Sequence, residues 1–315
     1  ALTSGIENTA IGYQSADGLT TGGYNTFVGY KVASTGTITG QENTAMGNTA
    51  LGALTSGSQN TALGVRAGLV MATGSANVFI GKDAGDSASA CSNVIAIGHN
   101  AMHTVTDSTA VDGTIAIGES ALDGLTSGAN NIGIGIKAGG LITSGTDNTL
   151  IGRQSGWQGT YGLTTGDHNT ALGSNTFGAS ANAELTGNYN TAIGSNSMLE
   201  ARSTAQSNTA VGYQSLQNLT DGDGNTAIGN QAMGNGAVSG DNNTTLGNGS
   251  GYNITSGHSN VIIGKDTNPS ANTGQNQTVI GFNITGNQDY GTVIGNKGMF
   301  QFASKEYTAH YADGE

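Results

Sequence analysis

The sequence predicts an all-β fold: a parallel β-solenoid or β-roll of about seventeen coils, packed as a homotrimeric fibre. Three observations predict it. A five-residue phrase, Asn-Thr-Ala-Ile-Gly with like-for-like substitutions, recurs from Gly12 to Gly295 as its first and last closing glycines, mostly at steps of 17 residues. Glycine fills 54 of 315 positions and proline one, which disfavours helices, since Gly costs roughly 1 kcal/mol relative to Ala inside one. Charged residues make up only 10% of the chain, against about 25% in an ordinary globular domain.

The phrase itself is too short for a helix and alternates with a period of two, so it reads as a strand. Its second position is Thr or a β-branched aliphatic, as in Thr9, Thr44, Val78, Ile95, Ile115, Ile132 and Val261, and such residues favour strands. Its fourth position is always apolar: Ile11, Val28, Met46, Leu63, Ile80, Ile97, Ile117, Ile134, Ile151, Leu172, Ile193, Val211, Ile228, Leu246, Ile263, Ile280 and Ile294. This series is the expected core ladder of the coil. The third position is usually Ala but becomes Phe27, Phe79, Leu150 or Ile262 in some repeats, and it is expected on the opposite side, at a contact between chains. The closing Gly permits a turn of positive φ.

Between phrases, Leu-Thr-[Ser/Thr]-Gly segments such as Leu19–Gly22 and Leu54–Gly57 predict a second short strand and a second turn. One repeat is then one coil, and stacking at about 4.8 Å per coil gives a rod roughly 80 Å long. Steps of 20 and 21 residues place surface loops at Asn100–Gly113, Arg153–Asp167 and Ser174–Asn188. Residues 1–295 form the solenoid shaft. Residues 296–315 leave the register, carry Phe300, Phe302, Tyr307 and Tyr311, and are expected to be a cap, a neck or the start of a following domain, with those aromatics as tip or neck contacts. The chain opens mid-pattern, in Ala-Leu-Thr-Ser-Gly, which is expected of a fragment or a processed piece.

The net charge of −12 argues against nucleic acid and anionic bilayers, both of which need clustered cations. No apolar run reaches the 18–20 residues of a membrane span, and the single cysteine, Cys91, has no intrachain disulfide partner. His99 and His103 are four apart, but on a segment without helical pattern and without a third ligand. Asp221-Gly222-Asp223-Gly224-Asn225 starts like a calcium loop and then lacks its Gly and Glu. Gly133-Ile134-Gly135 falls inside an ordinary repeat phrase, with no helix behind it to bind a dinucleotide. Sequons such as Asn253-Ile254-Thr255 are what an Asn- and Thr-rich chain contains by chance. A regular Thr array is able to order water, as in ice-binding proteins, but Thr alternating with Val and Ile suits an inward position better. No catalytic residues, cofactor or metal site are expected.

The phrases Asn8–Gly12 and Asn190–Gly194, with Leu-Thr-Thr-Gly between, resemble the repeats of bacteriophage tail fibres and tailspike-like adhesins. They are also similar to the β-roll heads of trimeric autotransporter adhesins, whose shorter coils carry Ser-Val-Ala-Ile-Gly. The resemblance covers residues 1–295. It implies an extracellular fibre of a virion or cell surface, self-assembled as a homotrimer, that holds a receptor-binding tip away from its base and meets a host-surface glycan or protein. A bacterial adhesin head that binds a matrix or cell-surface ligand is the alternative. A polysaccharide depolymerase tailspike is the third reading.

Overall fold

A computed structural model describes residues 3–106, 108–159, 161–178, 185–201 and 204–295. The predicted Phe300, Phe302, Tyr307 and Tyr311 contacts, and the whole segment 296–315, lie outside the described residues. The chain winds as a parallel β-solenoid. Each repeat phrase contributes one three-residue strand, from Thr9–Ile11 to Thr292–Ile294, and seventeen of them form a single sheet among the described residues. Each strand pairs in parallel with the strands before and after it in the repeat, in matched register: Thr9 with Thr26, Ala10 with Phe27, Ile11 with Val28. The same register holds to the top, where Thr278, Val279 and Ile280 meet Thr292, Val293 and Ile294.

The second wall departs from expectation. The Leu-Thr-[Ser/Thr]-Gly segments are not regular strands. They are bends joined from coil to coil by backbone hydrogen bonds such as Thr55 N–H to Ala72 O, at 2.9 Å, with isolated bridges only at places like Leu19 with Ile38 and Leu219 with Val238. Two of the three expected loops carry structure of their own. A short 3-10 turn, Ser108–Val111, sits in the first, and an antiparallel hairpin of Trp157–Gln158 with Tyr161–Gly162 in the second. Residues 179–184 of the third lie outside the description.

The two sides of the strand are exchanged relative to the sequence expectation. None of the fourth-position residues is buried. Ile11 is 59% exposed, and Met46, Leu63, Leu172, Ile228, Leu246 and Ile294 are exposed as well. Val28, Ile80, Ile97, Ile117, Ile134, Ile151, Ile193, Val211, Ile263 and Ile280 are half-buried. The interior belongs to the third position: Phe27, Ala45, Phe79, Ala96, Ala116, Leu150, Ala192 and Val279 are fully buried. The physical reason is the narrowness of the coil. The third-position side chain must share its layer with a residue four places after the closing Gly, and the two compensate in volume. Ala45 is matched by Leu51, Ala96 by Met102, Ala192 by Met198, Ala227 by Met233. Phe79, by contrast, is matched by Gly85, where an added Cβ would meet its ring at 2.3 Å, and Leu150 by Gly156, where one would meet Cδ1 at 2.8 Å. Interiors filled to this density tolerate neither a second large residue nor a void.

Turns are made at fixed positions. From Gly12 to Gly264 the closing glycines have φ near +120° to +140°, and a Cβ on Gly47 would stand 2.3 Å from the carbonyl oxygen of Gly64. Glycine is therefore required twice over, by the backbone angle and by the approach of the next coil.

A buried seam of asparagines runs beside the strands. The first residue of most phrases is an asparagine, and those from Asn25, Asn43, Asn60 and Asn77 through Asn131 to Asn260 are buried. Asn60 uses its whole amide. Its Nδ2 donates to Asn43 Oδ1 at 3.1 Å and to Gly74 O at 2.9 Å. Its Oδ1 accepts from Asn77 N at 3.1 Å and Asn77 Nδ2 at 2.9 Å. Polar groups at this depth need every partner.

Candidate functional site

The outer face of the seventeen-stranded sheet runs the length of the solenoid. Strands expose their second and fourth residues side by side, Thr9 with Ile11, Thr44 with Met46, Thr61 with Leu63, Thr244 with Leu246. Two columns result, one mostly of Thr and one wholly aliphatic, with one pair per coil. Four consecutive coils in the middle are aliphatic in both columns: Val78 with Ile80, Ile95 with Ile97, Ile115 with Ile117, Ile132 with Ile134. Among the described residues no element covers this face. The Thr column, expected to point inward, points outward.

The charged residues cluster on a different side, at the turn that follows the strand, and they stack in columns too. Arg66 and Asp83 hold equivalent places in successive coils, and the Arg66 Nε donates to Asp83 Oδ1, while Lys82 Nζ lies 3.3 Å from Oδ2. Burial pushes the Asp83 carboxyl up, but the hydrogen bonds and charges of Arg66 and Lys82 more than offset it and hold the group below its usual range. Three places on, Asp86, His103 and Asp123 stack in consecutive coils. His103 Nε2 is 3.5 Å from Asp86 Oδ1, and Nδ1 is 3.6 Å from Asp123 Oδ1. Asp123 is raised above the carboxylate range, first by burial, with Asp86 adding to the effect and His103 and His99 opposing it. Its Oδ1 receives no hydrogen bond.

The residues flagged in the sequence resolve individually. His99 and His103 do not form a metal site: among the described residues no group of three or more His, Cys, Asp or Glu is placed to hold a metal ion. Asp223 is explained by the stack. Its Oδ1 accepts from Gln206 N at 2.8 Å, and its own N–H donates to Asp241 Oδ1 at 2.8 Å. Gly133 and Ile134 lie within a strand, so no phosphate loop exists there. Cys91 is buried and its thiol is pushed up to about 12, chiefly by burial and further by Asp112, which removes it from thiolate chemistry at neutral pH. Among the described residues no helix is long and apolar enough to cross a membrane.

Two features were missed by reading the sequence: the outward direction of the Thr and Ile columns, and the stacking of Asp86, His103 and Asp123. The first was signalled by the volume compensation between third-position and turn residues. The second is found only by aligning the turns across the longer 20-residue step. No family model matches the chain, and no curated protein is significantly similar to it.

Proposed function

We propose that the chain is the shaft of a homotrimeric extracellular fibre, of the phage tail-fibre type, in which the Thr and aliphatic columns are the surface joining the chains. The observation that carries this reading is the continuous uncovered face. Sixteen steps between seventeen strands, at about 4.8 Å each, make it about 77 Å long, and three strand residues make it about 10 Å wide. An area near 770 Å² is about what one partner contributes to a standard stable interface, roughly 800 Å². The composition along the face supports the same reading: the aliphatic block in the fifth to eighth coils is flanked on both sides by Thr-bearing coils, as an interface has an apolar core and a more polar rim. Resemblance to tail-fibre and trimeric autotransporter repeats favours three chains in parallel, each phrase level with its copies.

The outward Thr column supports a second reading, a surface that orders water as ice-binding proteins do. The five coils with Val or Ile in place of that Thr, at Val78, Ile95, Ile115, Ile132 and Val261, weigh against it.

The test is the native mass of the protein by light scattering. The shaft reading expects three times the 31.3 kDa of one chain. Ile193→Asp, on the outer face of its strand, is expected to leave the coil folded by circular dichroism but to yield single chains, because assembly would bury an unpaired charge. A wild-type monomer that depresses the freezing point of its solution would transfer the face to the second reading.

A further inference from the structure

We infer that the turn following the strand carries a binding notch for a neutral sugar residue of a glycan, centred on Trp157. The inference adds a ligand-binding role to the proposed fibre shaft and does not depend on the number of chains.

The notch follows from a missing side chain. Asp123, Gly140 and Trp157 each stand five residues after the closing glycine of their coil, at Gly118, Gly135 and Gly152, so they form one column in three successive coils. Asp123 and Trp157 are then about 9.6 Å apart along the axis, with only Gly140 between them. The gap is a cavity of about 290 Å³ lined by Ser120, Asp123, Lys137, Gly140, Leu141 and Trp157, at the lower end of the small-molecule range. The Cδ1 edge of the indole stands 3.5 Å from where a Cβ on residue 140 would sit. Lys137 Nζ lies 4.6 Å from the centre of the indole and holds the ring in place. The Asp123 Oδ1 is turned inward toward His103, while a third of its side chain stays exposed at the notch.

The chemistry of the walls selects the ligand. The indole edge and a leucine present an apolar wall for the C–H groups of a pyranose. Around them stand an anionic acceptor, Asp123, a cationic donor, Lys137, and a hydroxyl able to do both, Ser120. This is the complement of a ring whose rim alternates hydroxyl donors and acceptors. A phosphorylated or sulfated ligand is disfavoured by Asp123 and by a chain of net charge −12.

Among the described residues a cavity of like composition lies on the same turn, with its glycine two places rather than five after the closing Gly247. Gln231, Asn248, Gly249, Tyr252, Asp266 and Asn268 line a cavity of about 210 Å³, again with one aromatic, one carboxylate, and a glycine in place of a side chain. It lies six coils further along, about 29 Å away, a spacing that lets one extended glycan strand touch both.

Trp157 is the only tryptophan in the chain, so its fluorescence reports on this notch alone. The assembled protein, its mass checked in the same sample, is titrated with gluco-, galacto-, manno- and N-acetylglucosamine hexasaccharides, with glycerol as a control polyol. The expected result is a saturable change in emission with at least one hexasaccharide and none with glycerol. Asp123→Asn, which keeps the reporter, is expected to weaken that binding at least tenfold with unchanged circular dichroism. Calorimetry on Trp157→Ala is expected to show only the Tyr252 notch, and on Trp157→Ala with Tyr252→Ala to show none. Saturable binding by no hexasaccharide, or binding that survives the double substitution, overturns the inference. A trimer that binds no hexasaccharide overturns it without touching the shaft, and a monomer that binds one does the reverse.

Discussion

The asparagine seam is continuous from Asn131 to Asn260 and broken between Asn77 and Asn131, and the two regions solve the same problem differently. In the continuous region each side-chain amide bridges two coils and ties the strand to the opposite wall, as Asn148 does with Asn131 and Gly166. In the broken region Val94 and Thr114 stand at the asparagine positions. The backbone stack nevertheless runs on, with Ile95 N–H to Thr114 O at 3.0 Å and Ile115 N–H to Asn131 O at 2.8 Å. Asn77 Oδ1 still accepts from Val94 N at 3.0 Å, so one end of the break is closed. At the other, the Thr114 hydroxyl is buried without a partner. The backbone ladder thus suffices to continue the coil, and the asparagines add stability where they are present. The longer 20-residue step and the Asp86–His103–Asp123 stack both fall at the break, where a coil is least tied across its interior.

This contrast is broken most forcefully by Asn60→Leu. It removes four side-chain hydrogen bonds at a fully buried site, and at about 1 kcal/mol each the expected loss is ~4 kcal/mol in urea unfolding. A loss below ~1 kcal/mol would show that the seam is ornamental. Thr114→Val acts in the opposite direction. It removes an unpaired hydroxyl at nearly constant volume and is expected to stabilise by about 1 kcal/mol, read as a higher urea midpoint at unchanged slope. The smallest effect is the pH response of Asp123. Its carboxyl is raised in the folded chain, so the ionised form opposes folding above that raised value, and the penalty is relieved as pH falls through it toward the unfolded value of about 3.9. Asp123→Asn is therefore expected to flatten this part of the stability profile between pH 7 and 4. Asp83, held low by Arg66 and Lys82, has the opposite sign: its contribution is present above about 3.9 and lost as pH falls through its depressed value.

Much of this was legible in the sequence. The phrase fixes the strand positions, and every closing glycine from Gly12 to Gly295 directly follows a strand. The faces were not legible from propensity. Thr and Ile look like core residues of a strand, and alanine looks like a spacer. In a coil only one side chain wide, alanine is the core residue, and its partner is the Leu51, Met102 or Met233 of the turn. Ile11 and its sixteen counterparts are consistently apolar on the outside, a regularity that in sequence alone is the signature of an interior. The second wall looks like a strand in sequence because Leu-Thr-Ser is extended in most proteins; here each segment bends within four residues to close the coil. The Trp157 notch depends on which residues share a column, so it appears only once the coils are stacked.

The chain runs almost perpendicular to the axis of the rod. A coil of 17 residues holds about 58 Å of contour but advances the axis by about 4.8 Å. Tension along the rod is therefore carried by hydrogen bonds between coils rather than by the covalent backbone, and each coil that peels away releases about twelve times its own height. A tether of this build yields coil by coil under load and lengthens many-fold before any covalent bond is strained.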